Sequence, residues 1–172
     1  MGARLRVLVA VTSMLTVASP ASAAPSHDAS PDRAYIERLL YGTRLDAFVD
    51  VATAAADPWF DWSTDLCSAP LVGSTGRSFD FTDACRRHDF GYRNLKLLDH
   101  RYSCSRRSAG EVCDPTWLAP GRYWNERSRS RVDRQLRADT RAHCRARRAW
   151  ERPSCYAWSE TFYRAVRVAG GP

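Results

Sequence analysis

The sequence predicts a mainly α-helical domain, small and stapled by disulfides. Apolar residues recur at helical spacing in successive segments, no alternating stretch of useful strand length occurs, and six cysteines are present. With 172 residues, 44% apolar and 26% charged, the chain has a globular composition. A transmembrane protein, a collagen-like fibre and a wholly disordered chain are excluded. The net charge is +7, and Lys96 is the only lysine among the basic residues. Guanidinium groups grip phosphate and carboxylate in bidentate fashion, so nucleic acid and anionic lipid both fit the charge.

Residues 1–23 read as a signal peptide. Arg4 and Arg6 form a positive start, Val7 to Ala18 is a largely apolar run, and Ala21-Ser22-Ala23 after Pro20 is a small-residue cleavage site. The run is shorter than the ~20 residues of a membrane span. Cleavage after Ala23 leaves 149 residues with charge +5, and these residues, 24–172, read as one domain. All six cysteines, Cys67, Cys85, Cys104, Cys113, Cys144 and Cys155, lie in it. An even count in an exported chain reads as disulfides, with all 15 connectivities open at this point. No two cysteines have the spacing of a zinc ligand pair.

Along the domain, Ala24 to Ser30 reads as a mobile polar tail, and Ser30-Pro31 as N-cap and first helical position. Tyr35, Leu39 and Leu40, then Leu45, Phe48 and Val49 after Gly42, predict one broken or two short helices ending at Asp57-Pro58. Residues 59–81 read as a loop, and loops this long inside a compact domain are often functional. A helix is predicted over 82–99, an irregular stretch over 100–125, and a helix over 126–148 that Pro153 ends. On that helix Arg127, Arg131, Arg134, Arg141, Arg145 and Arg148 fall on one stripe, opposite Val132, Leu136 and His143. A last helix over 156–168 carries Tyr156, Phe162, Tyr163 and Val166.

The chemistry concentrates in Cys85-Arg86-Arg87-His88-Asp89-Phe90-Gly91-Tyr92. Neighbours on a helix point about 100° apart, so His88 and Asp89 serve different partners. Asp89 shares a helix side with Cys85; if Cys85 bonds Cys67, Asp65 and Asp89 converge with nearby loop carbonyls. Such hard oxygen ligands are what Ca²⁺ takes. An imidazole beside that cation suits ester hydrolysis: the histidine draws a proton from water, and the cation polarises the carbonyl. The histidine needs an orienting carboxylate at its other nitrogen. Asp133 is the candidate, on the shoulder between the apolar face and the arginine stripe and at the same angle as Cys144. The competing reading leaves Asp133 at the surface, paired with Arg129 or Arg137.

At these residues the sequence resembles the prokaryotic and fungal type of secreted phospholipase A2. The stretches that carry the resemblance are Phe60-Asp61-Trp62-Ser63-Thr64-Asp65-Leu66-Cys67, Ala84-Cys85-Arg86-Arg87-His88-Asp89-Phe90-Gly91-Tyr92-Arg93-Asn94 and Ser130-Arg131-Val132-Asp133. The likeness covers roughly residues 35–98 and 126–168. It implies two long antiparallel central helices and a catalytic His88–Asp133 dyad. It implies Ca²⁺ held by the Asp65 carboxylate, the Leu66 carbonyl and the Asp89 carboxylate, and disulfides Cys67–Cys85 and Cys144–Cys155. Cys104 and Cys113, in an insertion over 100–125, are then left to pair with each other. The activity it implies is hydrolysis of the sn-2 ester of glycerophospholipids in peripheral contact with a membrane or micelle surface. Nothing in the sequence points to oligomerisation, so a monomer is expected.

Tyr92 reads as packing, His143 as a core or partly buried histidine, and His27 and His100 have no assigned role. Trp117, Leu118, Tyr123 and Trp124 read either as interfacial anchors or as packing of the insertion. A non-catalytic membrane-binding or toxin-like protein on the same fold is the alternative function. Nucleic-acid binding is disfavoured by the export signal and by the lack of an aromatic ladder on the arginine-bearing helix.

Overall fold

The computed structural model describes residues 26–66, 75–76, 79–103 and 121–169. The predicted signal peptide and most of the predicted insertion, including Trp117 and Leu118, lie outside them.

The chain enters through α1 (Ala29–Glu37), continues into a π-helical turn (Arg38–Gly42) and leads to α2 (Leu45–Ala54). The first helix starts one residue before Ser30, because the Asp28 carboxylate accepts from the Ala29 amide at 2.6 Å and takes the cap. Pro31 still lies in the first turn, where its missing N–H costs nothing. The second helix stops at Ala54, before Asp57-Pro58, with Ala55 left-handed at φ 41°. The tail is not loose at residues 26–28: His27 Nδ1 lies 2.9 Å from Asp32 and its ring stacks on Trp59 at 4.4 Å.

The predicted loop holds one small antiparallel ribbon, β1 (Thr75–Gly76) with β2 (Phe79–Asp80), its strands too short for any alternating pattern to register. Then comes α3 (Thr82–Leu98), closed by a π-helical turn (Asp99–Ser103). The Asp99 carboxylate accepts from the amides of Tyr123 (3.0 Å) and Trp124 (2.6 Å), fixing the chain that feeds the next helix. Gly121 packs so closely on Asp99 that any Cβ there would collide with the carboxylate. Tyr123 and Trp124 are buried, so they serve as packing and not as exposed anchors.

The third long element is α4 (Glu126–Arg145), opened by a capping box between Asn125 and Ser128. It ends three residues before its predicted end. Pro153 does not break it but sits in the first turn of α5 (Arg152–Ala169), which therefore starts earlier than predicted. The Cys144–Cys155 disulfide, Cα–Cα 5.5 Å, joins the end of α4 to the start of α5. Cys85 is disulfide-bonded as well, while the expected Cys67–Cys85 and Cys104–Cys113 pairs lie outside the described residues.

The predicted central pair is present in α3 and α4. Tyr92, late in α3, meets Trp124 just before α4 at 4.5 Å. Phe81, just before α3, meets His143 near the end of α4 at 5.4 Å, so the two helices run antiparallel. One apolar cluster, with Ile36, Leu40, Phe48, Phe90 and Val132, joins the N-terminal helices to this pair. A second, with Phe81, Cys85, Leu136, Cys144, Cys155 and Phe162, joins the pair to α5. Arg127, Arg131, Arg134 and Arg145 form an exposed face of α4, and Arg131 lies over the Tyr41 ring at 4.3 Å and pairs with Glu37 at 3.4 Å.

The close approach of the pair depends on Gly91. A Cβ there would stand 2.9 Å from both Leu40 Cδ2 and Val132 Cγ1. Those partners are core side chains with little room to move, so Gly91→Ala should cost about 1–3 kcal/mol through overpacking. Urea denaturation checks this; an unchanged midpoint would show that the helices have slack.

Beside this contact lies a buried ion pair. Arg87 donates to the carbonyls of Leu40 (3.1 Å) and Thr43 (2.8 Å), and its Nε lies 3.3 Å from Asp139 Oδ2 without hydrogen-bond alignment. Burial pushes the Asp139 carboxyl up to about 6 despite Arg87 and a hydrogen bond from Gln135. The native state thus holds this proton more tightly than the unfolded chain. Its stabilising effect is full below about pH 4 and is lost as pH rises towards 6, by roughly 3 kcal/mol at most. Denaturation midpoints measured across that range should fall with pH for the wild type and flatten for Asp139→Asn.

Candidate active site

His88 sits on the face of α3 turned towards α4, with 6% of its surface exposed. Its Nε2 lies 2.9 Å from Asp133 Oδ1. Asp133 has no exposed surface at all, which rules out the reading of a surface carboxylate paired with Arg137. Its Oδ1 also accepts from the Tyr92 hydroxyl at 2.6 Å, and its Oδ2 accepts from Arg167 Nη1 at 2.9 Å. Arg129, the other predicted surface partner, is itself buried, with its Nε 3.9 Å from Oδ2.

Burial alone would raise the Asp133 carboxyl, but hydrogen bonds from His88, Tyr92 and Arg167 outweigh it and hold it below the usual carboxylate range. An ionised carboxylate only accepts, so the proton of the neutral imidazole resides on Nε2 and the Nδ1 lone pair is left for chemistry. Burial lowers the affinity of His88 for a second proton, while Asp133 and Asp89 raise it, with a net upward shift. Tyr92 is raised as well, first by burial and then by Asp133, so it remains a neutral donor.

Asp89 faces the other way, towards the loop. Its Oδ2 accepts from Thr64 Oγ1 at 2.5 Å and from the amides of Asp65 (3.0 Å) and Leu66 (3.1 Å). Leu66 is left-handed at φ 53°, a strained conformation for a non-glycine residue that these hydrogen bonds hold. Asn94 pins the loop further back: it donates to the Asp61 carbonyl at 2.7 Å and accepts from the Asp61 amide at 2.8 Å. Asp89 Oδ1 points back to His88, 3.9 Å from Nδ1. Burial raises the Asp89 carboxyl, but His88, Thr64 and Asp65 together hold it below its ordinary value.

Asp65 and Asp89 line a cavity of about 410 Å³ together with Asp61, Tyr92, Arg93 and Lys96. Asp65 lies 3.7 Å from the Arg93 guanidinium. Among the described residues, no three His, Cys, Asp or Glu side chains converge as a metal centre. A cation in this cavity would rest on the Asp65 and Asp89 carboxylates, with Arg93 and Lys96 also on the wall. That hard-oxygen donor set fits Ca²⁺ and not a thiophilic metal.

Every predicted site residue is therefore at one place: His88 with Asp133 on one side, Asp89 with Asp65 and Leu66 on the other. The sequence alone points to packing for Tyr92 and does not reveal the partner of its hydroxyl, nor the roles of Arg167 and Asn94. Asn94 lies within the matched motif. Arg167 carries no signal beyond following Val166 on the apolar stripe of its helix.

Fold and site together resemble a small helical domain of the phospholipase A2 type. Residues 36–112 match the family model described as prokaryotic phospholipase A2. The chain is similar to a secretory phospholipase A2 of Arthroderma benhamiae, 29% identical over 171 residues that span 97% of this chain and 96% of that protein. It is similar also to a secretory phospholipase A2 of Beauveria bassiana, 28% identical over 157 residues, which are 91% of this chain and 67% of that protein. The likeness to the prokaryotic and fungal secreted type, read first from three motifs, is borne out.

Removing the Tyr92 hydroxyl leaves a fully buried carboxylate one donor short. Tyr92→Phe should destabilise the fold by about 1.5–3 kcal/mol, the range for a hydrogen bond to a charged group. Thermal or urea unfolding tests this, and a loss below experimental error would show that water or Arg129 replaces the phenol.

Proposed function

We propose that the protein is a secreted, calcium-dependent phospholipase A2 that hydrolyses the sn-2 ester of glycerophospholipids, releasing a fatty acid and a lysophospholipid. The observation that carries this reading is the His88 imidazole, fixed through Nε2 by the buried Asp133 and with Nδ1 facing Asp89 at 3.9 Å. The phospholipase A2 relatives and the oxygen-lined cavity support it.

In this mechanism Nδ1 of His88 takes a proton from a water molecule as that water attacks the ester carbonyl. The imidazolium that forms is stabilised by Asp133, which stays ionised throughout. The proton on Nδ1 then passes to the leaving glycerol oxygen, so His88 ends as it began. Asp65, Asp89 and the Leu66 carbonyl would hold Ca²⁺, which when bound supplies positive charge for the developing oxyanion. Tyr92 and Arg167 keep Asp133 from turning.

The reading includes export, with residues 1–23 removed as a signal peptide. It also includes action by a monomer in peripheral contact with a lipid surface. Among the described residues no helix is long and apolar enough to cross a membrane. The arginine-bearing face of α4 would attract anionic lipid, at about 1 kcal/mol per basic residue near the surface.

Fatty-acid release from phospholipid vesicles, with calcium and with excess chelator, tests the proposal. His88→Ala and Asp133→Asn should each lower turnover by about 10²–10⁴-fold. His88→Ala should leave calcium binding intact, and Asp89→Asn should weaken it. Full activity in chelator would sink the calcium assignment, and near wild-type turnover by His88→Ala would sink the mechanism.

A further inference from the structure

The last turn of α5 reaches the His88–Asp133 pair, 34 residues along the chain from Asp133, through one side chain. Arg167 gives Nη1 to Asp133 Oδ2 at 2.9 Å and Nη2 to Glu126 Oε1 at 2.5 Å. One guanidinium thus bridges the buried carboxylate and the first turn of α4. Arg129 locks the same turn from the other side, donating to the carbonyls of Val166 (3.3 Å) and Arg167 (2.5 Å). Its Nη1 goes to Glu126 at 3.2 Å. Arg129 is thus engaged by α5 and Glu126, and Arg167 alone of the two hydrogen-bonds Asp133.

The two oxygens of Asp133 have separate duties. Oδ1 accepts from His88 and Tyr92, and Oδ2 accepts from Arg167. A carboxylate is one rigid plane, so holding Oδ2 sets where Oδ1 points. Without Arg167 the nearest cation to Oδ2 is Arg129 Nε at 3.9 Å, and turning towards it carries Oδ1 out of line with the imidazole.

We propose that Arg167 is a positioning residue: from the end of α5 it fixes the Asp133 carboxylate plane and thereby the orientation of His88. The inference rests on the reading of His88 as the base, but its geometry stands apart from any substrate. It also makes the C-terminal helix a part of the site and not merely a cover on the core. The Arg167 side chain is 28% exposed, so replacing it does not excavate the core.

The test uses the whole protein with two readouts. One is vesicle hydrolysis, resolved into kcat and KM. The other is the proton resonance of the His88 Nε2–H, assigned by its loss in His88→Gln. Arg167→Met should lower kcat about 10- to 100-fold, as misplaced catalytic groups do, with KM near the wild-type value. It should also shift or broaden the His88 resonance. Arg167→Lys, which keeps a donor and a charge, should recover the resonance and most of kcat. Glu126→Gln, on an exposed side chain, should give a smaller loss in both readouts, and it carries the test should Arg167→Met fail to fold. The proposal is overturned if Arg167→Met keeps kcat and the resonance, or if Arg167→Lys loses both as fully. It is overturned equally if Arg167→Met does not fold and Glu126→Gln changes neither. A wild-type protein without esterase activity would sink the phospholipase reading alone, since the resonance still decides the role of Arg167.

Discussion

A carboxylate with no exposed surface sets the terms for the rest of this molecule. Asp133 stays ionised in the interior only because donors from two other helices converge on it: His88 and Tyr92 from α3, and Arg167 from α5. Taking such a charge out of water costs several kcal/mol unless it is hydrogen-bonded and paired. Each helix must therefore arrive at the right height. α3 can come close because Gly91 presents no side chain to Val132, and α5 is aligned by the disulfide between Cys144 and Cys155. The site is a consequence of how a buried charge was made tolerable.

Two other buried aspartates show the range of outcomes. Asp32 accepts from His27 (2.9 Å), Trp59 Nε1 (2.6 Å) and the Tyr102 hydroxyl (2.6 Å), and so draws the N-terminal segment, the loop after α2 and the turn after α3 onto one point. Asp139 has an arginine beside it, yet its Oδ2 lacks an aligned donor, and its carboxyl is pushed up to about 6. Charge alone did not hold the Asp139 carboxyl in the usual carboxylate range; aligned hydrogen bonds to both oxygens are what distinguish Asp133. In a chain with 25 arginines, placing a cation near a carboxylate is easy and aligning it is the harder condition.

The sequence made some of this legible and hid the rest for identifiable reasons. Helix existence came from periodicity, which is local and survives without a structure. Helix ends were less legible: Asp28 outcompetes Ser30 as a cap, and Pro153 is harmless in a first turn. His88, Asp89 and Asp65 stood out because they lie in long motifs. Asp133 could be placed because eleven residues return a helix to nearly the same angle, and the buried Cys144 marks that angle as interior. Arg167 could not be placed, since its height against α4 depends on how α5 packs, and no local pattern encodes that. Tyr92 was half legible: its ring does pack against Trp124, but only the position of α4 reveals that its hydroxyl has a partner.

Lys96 stands alone as the one primary amine on any side chain. It is half buried on the wall of the cavity, with its ammonium 5.0 Å above the Trp124 ring. Burial and the neighbouring Arg93 pull its pKa below the usual lysine value, which makes it easier to deprotonate than an exposed lysine. Amine-directed chemistry would thus have one side-chain target, beside the cavity and against an indole whose emission a dye would quench. The scarcity of lysine, a trait of composition, gives this fold a single side-chain address for an optical label on the wall of this cavity.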